Sequence, residues 1–158
     1  MSEVQQTDAE RALEEAQLRT QDVLDEVELY TAFDTDNLDI TAGMASKNMS
    51  KLQRLYYTEG TRLKRMQDML KQAKMLRWKH YSGKMPSEHY RKQQLQEAIL
   101  KTDLDRYIDT DPMVLQVGQL LNESEQRVKA IENGIKMMQT RGYDVKTVLE
   151  YKKFTSGT

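Results

Sequence analysis

A chain of 158 residues with 31% charged and 38% apolar residues has the size of one domain, and is polar for a compact globule but ordinary for coiled-coil-like helices. No run of about 18 apolar residues offers a membrane span, and the acidic opening "MSEVQQTDAERALEEAQ" lacks the apolar centre of a signal peptide. The absence of cysteine excludes disulfides and thiol chemistry and fits a reducing cytoplasm.

The formal net charge of −1 hides a segregation: residues 1–40 carry a balance of −10 and residues 51–84 a balance of +8. Such an arrangement points to an anionic partner for the second segment, and to solvation or a basic partner for the first. In chain order, residues 1–20 read as a flexible or loosely helical acidic tail. A short amphipathic piece with Val23, Leu24, Val27 and Leu29 follows. "DTDN" then supplies Asp36 or Asn37 as the N-cap of a long helix.

From Leu38 onward, apolar residues alternate by four and three through Ala42, Ala45, Met49, Leu52, Tyr56, Leu63, Met66, Leu70 and Ala73, with Glu59 and Arg77 as the charged exceptions. This is a heptad seam, and it predicts a helix from Asn37 to Tyr81, roughly 66 Å long at 1.5 Å per residue. Gly60 beside Glu59 marks the place where the helix is expected to bend or break. "YSGKMP" ends it, with Gly83 in the left-handed cap and Pro86 as the stop.

Ser87 is expected to cap a second helix with Tyr90, Leu95, Ile99, Leu104 and Ile108 inward. Asp111 and Pro112 open a third, with Val114, Val117, Leu121, Ser124, Val128, Ile131, Ile135 and Met138 along its seam. Arg141-Gly142 reads as its C-cap, and Asp144 starts a short last helix with Val145, Val148 and Leu149 on one face. The fold class is all-α: long coiled-coil-like helices that form a helical homo-oligomeric ring, since narrow seams bury too little within one chain. Three regions follow: an acidic extension over 1–20, a helical core with a long hairpin over 21–142, and a C-terminal assembly helix and tail over 143–158.

Catalytic chemistry finds no support. Asp103, Asp105, Asp109 and Asp111 lack the glycine and terminal glutamate of a calcium loop and read as caps and solvated positions. His80 and His89 have no metal-ligand spacing, and no phosphate loop or nucleophile motif is present. The chain reads as a non-enzyme with no catalytic residues, no metal and no cofactor.

The stretch "KQAKMLRWKHYSGK", Lys71 to Lys84, holds five basic residues, no acid and the single tryptophan. At 100° per residue Lys64, Lys71, Lys74, Trp78 and Tyr81 share an arc of roughly 100°, with Lys79 nearby and Arg77 on the seam itself. Cations beside aromatic faces suit single-stranded nucleic acid, phosphates on the cations and bases on the rings. The same pattern also arises when Trp78 and Tyr81 only cover the seam's end and the lysines solvate it.

"DTDNL" through "LRWKHYSG", then "YIDT" and "IKMMQTRGYDVKTVLEYKKF", resemble in order and spacing the UvsY family of recombination mediators of T-even-type phages. The resemblance runs from about residue 20 to the C-terminus. It implies a non-enzymatic protein of the host cytoplasm that forms closed homo-oligomers, a hexamer or heptamer, and binds single-stranded DNA. It further implies two protein partners, a phage single-stranded-DNA-binding protein that is displaced and a phage RecA-like recombinase that is loaded and stabilised.

The family's DNA-contacting bases stand as Lys-x-Arg before the Tyr-Ser-Gly turn. Arg77 matches the arginine, whereas Met75 occupies the lysine position with Lys74 beside it. The segment matching the family's assembly helix contains Val145, Val148, Leu149, Tyr151 and Phe154. A scaffold or adaptor whose basic face docks an acidic protein stands as the alternative.

Overall fold

The computed structural model describes residues 7–94 and 99–157, and places five helices in them: α1 (Asp8–Thr31), α2 (Leu38–Tyr81), α3 (Ser87–Lys92), α4 (Leu104–Asp109) and α5 (Pro112–Ser156). The two long helices start and stop where local chemistry demands. Asn37 precedes α2, and Gly83 follows it with a φ of 74°, the left-handed geometry that glycine adopts without a Cβ penalty. Asp111 caps α5 by accepting a hydrogen bond from the Met113 N–H at 2.9 Å, with Pro112 at the first helical position.

α2 and α5 run antiparallel, with Leu55 packed against Ile131 near the middle and Ala73 against Val114 near one end. α1 lies along α5 in the same direction, its Val23 completing the first cluster, while Trp78, Tyr81, Leu104 and Ile108 complete the second. The product is a long three-helix bundle with α3 and α4 folded over one end. All elements among the described residues are helical. None of them is long and apolar enough to cross a membrane.

Several expectations are corrected. The acidic tail expected over 1–20 is, from Asp8 onward, part of one continuous helix; residues 1–6 lie outside the described residues. Thr7 and Glu10 form a reciprocal capping box, and Arg127 of α5 donates to the Ala16 carbonyl at 3.2 Å and the Thr20 hydroxyl at 3.1 Å. The capping box is a local pattern, but the Arg127 bonds come from more than a hundred residues away in sequence, and no local pattern discloses them. Leu24 and Leu29 of the expected amphipathic piece face outward.

α2 runs unbroken through Gly60. Leu55 rather than Tyr56 fills the seam, as expected for a helix whose 3.6-residue turn drifts against a strict heptad. The second helix is two short ones, with Ser87 as a first residue after Pro86; Leu95 lies outside the described residues.

The expected cap at Arg141-Gly142 is absent, and α5 continues to Ser156, with Gly157 in the left-handed geometry. Arg141 is buried there. Its guanidinium donates to the Thr31 carbonyl at 2.5 Å and lies 4.8 Å from the centre of the Phe33 ring, so the end of α1 holds this turn of α5 in place.

Glu59, read as a seam exception, is fully buried and central. Its carboxylate accepts from Arg127 at 2.8 Å, Arg62 at 2.6 Å and Arg19 at 3.1 Å, one arginine from each of α5, α2 and α1. Burial pushes this carboxyl up, but the bonds from Arg127 and Arg19 and the Arg62 charge outweigh it and hold the group below its usual range. Ser124 on the opposing seam accepts from Arg127 at 2.7 Å, which explains why the seam is polar there on both sides.

Candidate nucleic-acid interface

The basic stretch forms the last three turns of α2, where α4 and the start of α5 close against it. Arg77 donates to the Asp111 carboxylate at 2.6 Å, and the Tyr81 hydroxyl donates to the same oxygen at 2.6 Å. The Asp111 side chain is 2% exposed and that of Arg77 17%. Burial raises the Asp111 carboxyl, but the Tyr81 and Met113 hydrogen bonds and the Arg77 charge more than offset it, so the group is held below the usual carboxylate range. For Arg77, burial acts to lower the pKa, and its bonds to Tyr81 and Asp111 raise it above the ordinary value. One carboxylate thus caps α5, neutralises Arg77 and anchors Tyr81.

Lys74 meets Asp109 at 2.8 Å and Lys71 meets Asp68 at 3.6 Å, all four side chains well exposed. Exposed pairs of this kind are worth about 0–1 kcal/mol, so an incoming phosphate can displace either carboxylate. Arg77 differs, because separating it from a buried carboxylate strands a charge. Lys79 and Lys64 are exposed, Lys64 two turns before Lys71. Trp78 is half-buried against the Ala73, Ile108 and Val114 cluster, and the Lys84 ammonium sits 4.1 Å from its ring centre. Tyr81 is half-buried in the same cluster, its hydroxyl pKa raised by burial and by the bond to Asp111.

A groove of about 590 Å³ lies beside this helix end, lined by Lys71, Lys74, Met75 and Trp78 on one side and by Asp105, Ile108 and Asp109 on the other. Its floor is apolar and its α4 wall is acidic. A phosphate backbone is attracted by the α2 wall and repelled by the α4 wall, which favours the side of α2 turned away from α4.

The structure therefore brings Lys71, Lys74, Arg77, Trp78, Lys79 and Tyr81 onto one helix end, and divides them into accessible cations and an internal Arg77–Asp111–Tyr81 anchor. Sequence reasoning missed that anchor. The signal was present in Asp111, an N-cap that stands opposite a charged seam position.

His80 and His89, which sequence separates by a loop, meet at 2.9 Å between ring nitrogens, and His80 is buried. Burial, then Arg77 and His89, hold His80 below its ordinary pKa. Among the described residues, no cluster of three or more metal-ligating side chains is present.

The segment expected to assemble subunits is the end of α5. Val145 and Val148 are half-buried, while Leu149, Tyr151 and Phe154 are 45%, 67% and 85% exposed.

A family model described as recombination, repair and ssDNA binding protein UvsY matches residues 26–158. The match begins within α1, so the capping box and the Arg19 and Thr20 contacts lie outside it. Neither the curated proteins nor the solved structures contain a match to the chain.

Proposed function

From a chain that belongs to the UvsY family, described as recombination, repair and single-stranded-DNA-binding proteins, we propose a recombination mediator. It binds single-stranded DNA as a homo-oligomer, helps displace a single-stranded-DNA-binding protein, and loads and stabilises a RecA-like recombinase on the strand. The observation that carries this reading is the family match over residues 26–158, all of α2 to α5, joined to a helix end whose lysines are exposed or only weakly paired. In this reading Lys71, Lys74 and Lys79 take phosphates and the edge of Trp78 takes a base. Arg77 and Tyr81 act through Asp111 to hold the helix end rigid, and Lys64 continues the basic track. Repetition around an oligomer multiplies a modest patch by effective concentration.

Binding of the full chain to poly(dT) across a salt series tests the first half of the proposal. Replacing Lys71 and Lys79 together by Ala should lower affinity and flatten the log–log salt dependence by about 0.7 per lost contact. Recombinase assembly on strands already coated with single-stranded-DNA-binding protein tests the second half, and should be faster with the chain present. Wild-type affinity and slope in the double variant would move the lead to an adaptor that docks an acidic protein.

A further inference from the structure

The cations of α2 divide by what they touch. At the helix end Lys71, Lys74 and Arg77 each have a carboxylate of the same chain within 4 Å, and Arg62 has Glu59. Lys47, Arg54, Lys64, Arg65 and Lys79 are exposed and form no ion pair among the described residues. At 100° per residue these five fall within an arc of about 100°, on the side of α2 opposite Leu52, Leu55 and Glu59. Tyr57 falls in the same arc and is 78% exposed, far more than any tyrosine used in the core. Between Lys47 and Lys79 the acids are Glu59, which is fully buried, and Asp68, which falls in the same arc, is exposed and is paired with Lys71 at 3.6 Å. The stripe is therefore a predominantly basic surface, five cations to one carboxylate, roughly 48 Å long at 1.5 Å per residue, with an aromatic ring one turn from Arg54 and two turns from Lys64.

An unpaired cation gives its full attraction to a phosphate, whereas a paired one must first lose its carboxylate. A tyrosine exposed among such cations has a free ring face for a base, and the acidic α4 wall repels a strand from the other side of the helix end. We infer that the outer face of α2, from Lys47 through Arg54, Tyr57 and Arg65 to Lys79, is a continuous single-stranded-DNA track in which Tyr57 is a base-stacking platform. This rests on the proposed binding of single-stranded DNA and extends it more than six turns beyond the Lys71–Lys84 stretch that sequence singles out.

The test uses the full chain and poly(dT). Arg54→Ala with Arg65→Ala should reduce the log–log salt slope by about 1.4, two single-strand contacts, at unchanged oligomer size. Tyr57→Ala should weaken binding by about 5- to 150-fold with the slope nearly constant, and Tyr57→Phe should restore it. A third arm reads contact directly: in a Trp78→Phe background, Tyr57→Trp should show indole fluorescence quenched on adding poly(dT).

Wild-type affinity and slope in these variants, with the Lys71/Lys79 variant still impaired, would overturn the track and leave the helix-end site standing. No binding of the wild-type chain to poly(dT) would overturn both. A changed oligomer size in the Arg54/Arg65 variant would make the face a subunit contact. Indole quenching in the Tyr57→Trp variant by polyglutamate but not by poly(dT) would assign the face to an acidic protein; either result overturns the inference.

Discussion

Asp111 concentrates more of the site than any other single residue. Its two oxygens serve the α5 N-terminus on one side and Arg77 and Tyr81 on the other. Because these partners hold its pKa below the usual 3.8, the folded chain resists protonation more than the unfolded chain does. The stability it contributes is thus complete above about pH 4, where both states are ionised, and is lost as pH falls through the depressed folded value. Asp111→Asn keeps the shape but removes the charge opposite Arg77, and should cost about 3 kcal/mol near neutrality. Thermal unfolding of both proteins between about pH 7 and pH 2 should show a constant difference that narrows only below about pH 4. Glu59 titrates in the same acid window but is common to both proteins, so the difference isolates Asp111. A gap that stayed constant to the acid limit would assign the cost to packing.

At the scale of helices, α1 packs closely on α5 at Gly134. A Cβ on Gly134 would stand 2.9 Å from Val27 Cγ1 and 3.3 Å from Thr31 Cγ2. Val27 has its χ1 largely fixed on a helix and Thr31 is held by its hydroxyl bond to the Val27 carbonyl at 2.7 Å, so neither rotates away and the helices must separate. Gly134→Ala gains about 1 kcal/mol of helix propensity but incurs about 1–3 kcal/mol of overpacking, so net destabilisation of about 1 kcal/mol is expected. Gly60 has open space around its Cβ position, and Gly60→Ala should raise stability by nearly the full propensity gain, about 1 kcal/mol. Urea unfolding of the pair should therefore shift in opposite directions, and a shared direction would contradict the packing argument.

The same helices show what a sequence discloses. α2 was legible because caps and seam agree: Asn37 before it, Gly83 after it, and Leu52 and Ala73 buried between. The α5 start was legible from Asp111-Pro112 for the same reason. The docking of the middle of α1 on α5 and the passage of α5 through Gly142 were not, because Arg127 and Arg141 secure them by bonds to α1 from about 110 residues away. At the candidate site, residue types revealed where cations gather. Only packing revealed that Arg77 is engaged internally and that unpaired cations continue up the outer face of α2.

For the whole molecule, register decides what remains to be covered. With Leu55 level with Ile131 and Ala73 with Val114, the start of α2 at Leu38 comes level with about residue 148 of α5. The last two turns of α5 thus project past α2, and Lys152 reaches back to the Thr35 carbonyl and Asp36. Leu149, Tyr151 and Phe154 are left in solvent, and none of the residues of the two core clusters lies beyond Ile135. Removing residues from 149 onward should therefore leave the bundle folded while taking away Leu149, Tyr151 and Phe154, the exposed part of the surface proposed to join subunits. Light scattering coupled to size exclusion should find the full chain as one species of about six or seven subunits of 18.5 kDa, and the truncated chain as smaller particles with unchanged helical content per residue. Because each subunit keeps its basic face, the truncated chain should bind a strand one subunit long as the full chain does. It should lose affinity, by about a hundredfold or more, only on strands long enough to engage several subunits, since effective concentration acts there alone. Equal losses on short and long strands would mean that the end of α5 shapes the basic face itself. A truncated chain of undiminished size would place the subunit contacts elsewhere on the bundle.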